Sequence, residues 1–420
     1  MSEPEETKRV RKINRRRFLA AGGFSAALGA PIPFLNRLPL GVVPVALAQG
    51  AVDPELAQYS AEKPGLAVLG DRPLNMETPP HLLDDEVTPA ARMFVRNNGL
   101  IPAITPEIVA DWRLAIDGEV ANPLTLSIED LRRDFDAVTH RLQIECAGNG
   151  RRFMKPAAHG NQWSFGAVSC AEWTGVRLRD ILTRAGLKDA AIYTAHYGAD
   201  AHLSGDPGKQ ALSRGLPVKK AMDPHTLVAF AMNGRDIPLL NGHPLRLVAP
   251  GWPGSCSQKW LTKITLRDVV HDGQGMTGKS YRMPAFPVAP GTDVPDEDMK
   301  IIESLPVKSL ITAPATGARV KARQPFEIRG HAWAGDLAVA ALDVSIDFGA
   351  TWRPAALDVP ANRYAWQRWR AQISLPDLGY YEIWARARDN EGRYQPPAPP
   401  GWNPRGYLNN MQHRIAVFSL

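Results

Sequence analysis

The stretch Gln143-Ile144-Glu145-Cys146-Ala147-Gly148-Asn149-Gly150-Arg151-Arg152 sets one thiol among glycines and two arginines. Guanidinium groups near a cysteine favour its ionised form, and glycines let a bulky centre approach the backbone. Cys146 therefore reads as a ligand for a soft metal or as a nucleophile. The plainer reading is a buried thiol acting as a small hydrophobe, the commoner fate of an isolated cysteine. The rest of the chain decides between them.

Only two further cysteines occur, Cys170 and Cys256, and the odd count leaves at least one thiol without an internal partner. Cys146 is the candidate for that thiol. Cys170 and Cys256 read as packed core thiols, with a disulfide between them as the alternative. No Cys-x-x-Cys-His run occurs, so covalently attached haem is not expected in this chain.

The N-terminus carries Asn14-Arg15-Arg16-Arg17-Phe18-Leu19, a small and apolar stretch from Ala20 to Ala30, and Ala46-Leu47-Ala48 as a cleavage site. This order of charged, apolar and small residues predicts a twin-arginine export signal over residues 1–48. That route carries folded proteins, so a cofactor-bearing periplasmic protein is expected. Residues 1–48 hold eight Lys/Arg against three Glu, a net of +5 out of the chain's +6. The mature chain is then near neutral, and nothing in its charge argues for a nucleic-acid partner. Removing 48 of 420 residues leaves 372, enough for two cores. No later apolar run reaches the roughly 18–20 residues of a membrane span, so no span is expected in the mature chain.

Residues 102–266 mix short apolar strands with helices. Leu178, Ile181, Leu182 and Ala185 recur at helical spacing and stop at Gly186, while Ser127 with Asp130 forms a capping pair for another helix. Residues 286–306 are rich in Pro, Gly and Asp and read as a connector. Beyond it the period becomes two. Leu342, Val344, Ile346 and Phe348 alternate with polar residues, as do Tyr381, Ile383, Ala385 and Ala387 with Glu382, Trp384, Arg386 and Arg388. An antiparallel, immunoglobulin-like β-sandwich is predicted for residues 308–420, without the cysteine pair of true immunoglobulin domains.

The Cys146 run belongs to an ordered series. Phe94-Val95-Arg96-Asn97-Asn98, Ala221-Met222-Asp223-Pro224, Asn233-Gly234, Gly242-His243-Pro244-Leu245-Arg246, Lys259-Trp260-Leu261, Tyr281 and Trp402-Asn403-Pro404-Arg405-Gly406 accompany it along the chain. Together they resemble the sulfite oxidase family of molybdenum enzymes from about residue 60 to the C-terminus. The resemblance implies an α+β architecture: a mixed α/β molybdopterin-binding catalytic domain over residues 60–290, followed by the immunoglobulin-like sandwich as a dimerisation domain over residues 308–420.

It also implies one molybdenum held by one molybdopterin and by the thiolate of Cys146. The pterin and its phosphate would be held by Phe94, Val95, Arg96, Asn97 and Asn98, by Arg246, and by Ser257, Gln258 and Lys259. An acidic pterin contact falls near residues 204–206, with Asp206 favoured. Asn241 stands where the family commonly carries histidine, and its amide can still donate a hydrogen bond. For the substrate, the resemblance points to Arg96, Arg151, Tyr281 and Arg405 converging on the metal, an arrangement suited to a small anion or anionic terminus. Trp163, Trp173, Trp252 and Trp260 read as pocket walls or as core aromatics.

Gly150 is an extra residue compared with the family run Cys-Ala-Gly-Asn-Arg-Arg. With the export signal and the lack of a haem domain, it resembles the sulfane dehydrogenase branch of the family. That branch implies a sulfur-carrier protein as substrate, a c-type cytochrome subunit as electron acceptor, and a homodimer within a hetero-oligomer. A dehydrogenase of free sulfite is the alternative, and a reductase of oxidised sulfur compounds is further off. A partner-docking scaffold with a decayed cofactor site is the non-enzymatic alternative, opposed by the retention of Cys146, Arg96, Arg151, Tyr281 and Lys259.

Overall fold

Apolar residues at every second position require a sheet with one dry face. In the computed structural model, which describes residues 54–420, those of the C-terminal part lie between two packed sheets. One sheet orders Lys308–Ala313, Phe326–Trp333, Gln367–Ile373 and Ala356–Leu357 as neighbours. The other orders Ala318–Val320, His413–Ser419, Gly379–Asp389, Val339–Ser345 and Arg353–Pro354. Ile328, Trp369, Val344, Ile383, Ile415 and Val417 fill the space between them. The export segment expected over residues 1–48 lies outside the described residues.

One part of the expected alternation stops early. Leu342 and Val344 are buried, but the strand ends at Ser345. The Ser345 hydroxyl accepts the Gly349 N–H at 2.9 Å, and Asp347 accepts the Thr351 N–H at 2.9 Å, which closes a turn. Phe348 is left outside, exposed and at φ +58°.

The upstream part is mixed α and β. Ala137–Glu145 pairs antiparallel with Val168–Arg177, which pairs with Leu227–Met232. A second sheet orders Leu124–Ser127, Arg113–Gly118, Leu261–Arg267 and Tyr193–Gly198, with a parallel pair between Arg113–Gly118 and Leu261–Arg267. The helix Leu178–Ala185 buries Leu178, Ile181, Leu182 and Ala185, and Gly186 closes it at φ +72°. The helix Ile128–Asp134 begins with a reciprocal cap, in which Ser127 Oγ accepts the Asp130 N–H and Asp130 accepts the Ser127 N–H.

Residues 286–306 are more than a connector. Met299–Ile301 pairs antiparallel with Arg282–Pro284, and Val294, Ile302 and Leu305 are buried. Scattered apolar residues between the prolines pin this segment down.

The two parts meet through paired charges, of which Glu145, Lys308 and Lys220 are buried. Glu145, fully buried, accepts Lys308 Nζ at 2.6 Å, Trp333 Nε1 at 2.7 Å and Asn149 Nδ2 at 3.0 Å. Lys220 donates to Asp336 at 2.8 Å, and Arg329 forks onto Asp84 with its shortest bond at 2.7 Å. The strand that ends at Glu145 is thereby fixed from the sandwich side, one residue before Cys146.

Candidate active site

Cys146 leaves the end of its strand with its N–H donating to the Ala167 carbonyl at 2.9 Å, and its carbonyl accepts the Asn149 N–H at 2.9 Å. That tight return faces the side chain into a partly open cavity. Gly150 follows at φ +94°, so the extra residue is absorbed by a left-handed turn that caps the short helix Arg151–Phe153.

All three cysteines are free and buried, so Cys170 and Cys256 are not bridged. Burial pushes the Cys170 thiol up to about 12, which suits an inert core residue. Cys256 Sγ accepts from Arg214 at 3.5 Å.

Phe94, Arg96 and Asn98 line one wall of the cavity. They lie in and on either side of the strand Val95–Arg96, which is held to Leu74–Glu77. Arg96 donates to Asn98 Oδ1 at 2.6 Å and to the Asn97 carbonyl, and Tyr281 OH donates to the same Asn98 oxygen at 3.2 Å. Tyr281 sits at φ +52° and stacks on Tyr407 at 5.5 Å. Val95 and Asn97 are buried behind this wall, where Asn97 Oδ1 accepts the Lys259 ammonium.

Asn241, Arg246, Ser257, Gln258 and Lys259 also line the cavity. Burial lowers the Arg246 guanidinium to about 9 and drives Lys259 well below the usual lysine range, with Arg246 adding to the effect on Lys259. Among the described residues, Arg96, Arg246 and Lys259 form no ion pair with a carboxylate. Arg246 Nε, Ser255 Oγ and Gln258 Oε1 are buried without a hydrogen-bond partner.

A buried group of unpaired cations and unsatisfied polar atoms is costly by itself and becomes favourable around an anion. A phosphate-bearing pterin fits this donor set, and Cys146 supplies the sulfur on the facing side.

Three expectations are corrected. Asp206 is exposed, accepts the Gly208 N–H at 2.9 Å and pairs with Lys209 at 3.5 Å; the carboxylate on the cavity is Asp200, raised by burial. The loop Ala199–Gln210 turns outward after Asp200, so the acidic position falls before the turn. Arg405 brings its backbone carbonyl rather than its guanidinium, accepting Arg151 Nε at 2.5 Å.

Arg151 lies beside Cys146 but does not line the cavity. Its guanidinium also donates to the Asn161 carbonyl at 2.8 Å and packs over Tyr407 at 5.2 Å. A Cβ at Gly148 would stand 2.4 Å from Arg151 Nη2, so this packing requires glycine there. Of the three arginines only Arg96 lines the cavity, while Arg151 stands behind it, within electrostatic reach of Cys146, Arg96 and Tyr281.

Of the four tryptophans, only Trp260 lines the cavity, with Lys259 Nζ 4.2 Å above its ring. Trp163 backs Phe94 edge-on at 6.2 Å, Trp173 lies 5.3 Å under Arg246, and Trp252 donates to Asp336 at 2.7 Å. Residues not foreseen are Asp200, Ser255, Tyr407 and Lys63. Ser255 lies in the same turn as Ser257 and was within reach of the motif, whereas Lys63 had no local signal.

A profile described as oxidoreductase molybdopterin binding domain matches residues 98–274, and one described as Mo-co oxidoreductase dimerisation domain matches residues 299–419. The chain is 35% identical over 372 residues to mitochondrial sulfite oxidase of Macaca fascicularis, covering 84% of this chain and 66% of that one. It is 33% identical to sulfite oxidase of Gallus gallus, covering 87% of this chain and 81% of that protein. The crystal structure of the sulfane dehydrogenase SoxCD from Paracoccus pantotrophus superposes with a TM-score of 0.68 at 26% identity, over 92% of this chain and 96% of that one. The chain thus spans about two thirds of the length of the mammalian relatives. With the cysteine, the cationic wall and both domain profiles in agreement, the chain belongs to the sulfite oxidase family of molybdopterin-dependent oxidoreductases.

Proposed function

We propose that this chain is the molybdenum subunit of a periplasmic dehydrogenase that oxidises sulfane sulfur on a carrier protein and passes electrons to a c-type cytochrome. Arg246, Lys259 and Asn241 hold the anionic end of the pterin, and Cys146 is the protein's ligand to the metal. When bound, the molybdenum supplies two-electron redox chemistry, and the protein orients and tunes it. Arg96 and the Tyr281 hydroxyl, joined through Asn98 Oδ1, orient the substrate. The sandwich serves as the homodimer face within a hetero-oligomer, and export follows the twin-arginine route.

The observation that carries the sulfane reading is the withdrawal of Arg151 and Arg405 from the cavity, with Arg151 committed to two backbone carbonyls. A dianion such as sulfite favours several guanidinium forks, whereas a sulfane sulfur on a cysteine presents a single negative charge at most. Free sulfite is the second reading, supported by the 33–35% identity to sulfite oxidases. Purified chain with added c-type cytochrome decides between them. Faster reduction with carrier-bound sulfane is the expected result, and faster reduction with free sulfite would establish the second reading.

A further inference from the structure

Lys63 is almost fully buried, at 2% exposure, although it lies at the edge of the first described segment. Its ammonium donates to Asn241 Oδ1 at 2.8 Å and to the Ala90 carbonyl at 2.5 Å. Ala90 opens the short helix Ala90–Arg92 that leads into the Phe94–Asn98 wall, and Asn241 ends the turn Leu239–Asn241, which also lines the cavity. One side chain therefore ties together two segments that line the cavity.

The chemistry of the pair goes further. An ammonium group has only donors, so the atom of Asn241 that meets it must be the amide oxygen. The amide NH2 is then turned away from Lys63, and Asn241 lines the cavity. The backbone carbonyl of Asn241 is occupied as well, accepting Arg246 Nη1 at 2.7 Å. Both oxygens of this residue are thus held by cations on the protein side, and what it presents to the cavity is a donor.

We infer that Lys63 is a positioning residue of the cofactor site, which holds the Asn241 amide so that its NH2 donates to an anionic oxygen of the bound group. The inference rests on the pterin reading of the cavity given above. Burying an ammonium is expensive, and here its ordering effect falls on a residue of the cavity wall.

The test is the molybdenum and pterin content per polypeptide of the full chain after extended gel filtration, which requires no turnover. Lys63→Met should weaken retention about tenfold, the scale of a lost charge-assisted bond. Lys63→Arg should restore most of it. In an Asn241→Ala background Lys63→Met should cause no further loss, which separates positioning from a general structural role. Equal losses in both backgrounds, or full retention by Lys63→Met, would overturn the inference.

Should Lys63→Met fail to fold, Asn241→Asp carries the same test. It keeps an oxygen for Lys63 but offers the cavity an acceptor, so retention should fall, and unchanged retention would overturn the inference. Wild-type chain that holds no molybdenum or pterin would overturn the underlying reading too, whereas loaded wild type with equally loaded variants overturns the inference alone.

Discussion

The chain buries cations in two regions and treats them in opposite ways. At the junction of its two parts, Lys308 meets Glu145 at 2.6 Å and Lys220 meets Asp336 at 2.8 Å. In the cavity, Arg96, Arg246 and Lys259 have no carboxylate in salt-bridge reach among the described residues, and Arg246 Nε has no partner. Desolvating a charge is costly in both places. The junction compensates it by ion pairs within the chain, whereas the cavity offers only Asp200, beyond ion-pair distance of Lys259, and leaves the rest to an anion from outside. Unpaired charge therefore marks the functional site more sharply than buried charge does.

The largest effect should come from the residue facing those cations. Cys146→Ser should reduce molybdenum-dependent turnover by more than the roughly 10–100-fold typical of losing a group behind a metal ligand. Circular dichroism should show the fold intact.

Next comes a pair of substitutions with opposite signs. Lys308→Met leaves the fully buried Glu145 carboxylate without its cation and should destabilise the protein by about 3–5 kcal/mol. Arg246→Met removes a cation that donates to the Asn241 carbonyl at 2.7 Å but has no carboxylate partner, so the cofactor-free protein should be unchanged or more stable, while molybdenum retention falls. Chemical denaturation of both variants in cofactor-free form checks this, and a matching loss in Arg246→Met would erase the distinction.

A third prediction concerns acid. His413 Nδ1 accepts the Ile311 N–H at 3.0 Å, and burial lowers this histidine to about 3. Its neutral form is favoured in the folded state, so its contribution is fully present above the ordinary histidine value and is lost as pH falls from about 6.5 toward 3. Thermal melts across that window should show the loss, and His413→Gln should reduce it by one histidine's share, leaving that of His196, His271 and His331, which burial also lowers. The smallest effect belongs to Asp206→Asn, which should leave molybdenum retention unchanged, while Asp200→Asn alters it.

Local features of the fold were legible where sequence-near residues carry them. The Ser127–Asp130 cap, the helix ending at Gly186 and the inward run Ile383, Ala385 and Ala387 depend on spacing alone. Phe348 departs from the alternation because the hydrogen bonds of Ser345 and Asp347 outweigh periodicity.

In the site, the motif around Cys146 and the Phe94–Asn98 run located two walls. The partners of these residues were not legible. Arg151 is turned by a carbonyl 254 positions away, and Lys63 reaches Asn241 across 178 positions. Whether an arginine faces substrate or a carbonyl is decided by chain closure, which leaves no local pattern.

Molybdenum K-edge absorption of matured wild-type protein and of Cys146→Ser tests the assignment most directly. The expected result is a molybdenum centre in the wild type with one sulfur neighbour more than in the variant. Identical sulfur coordination in both proteins would contradict the placement of Cys146 on the metal.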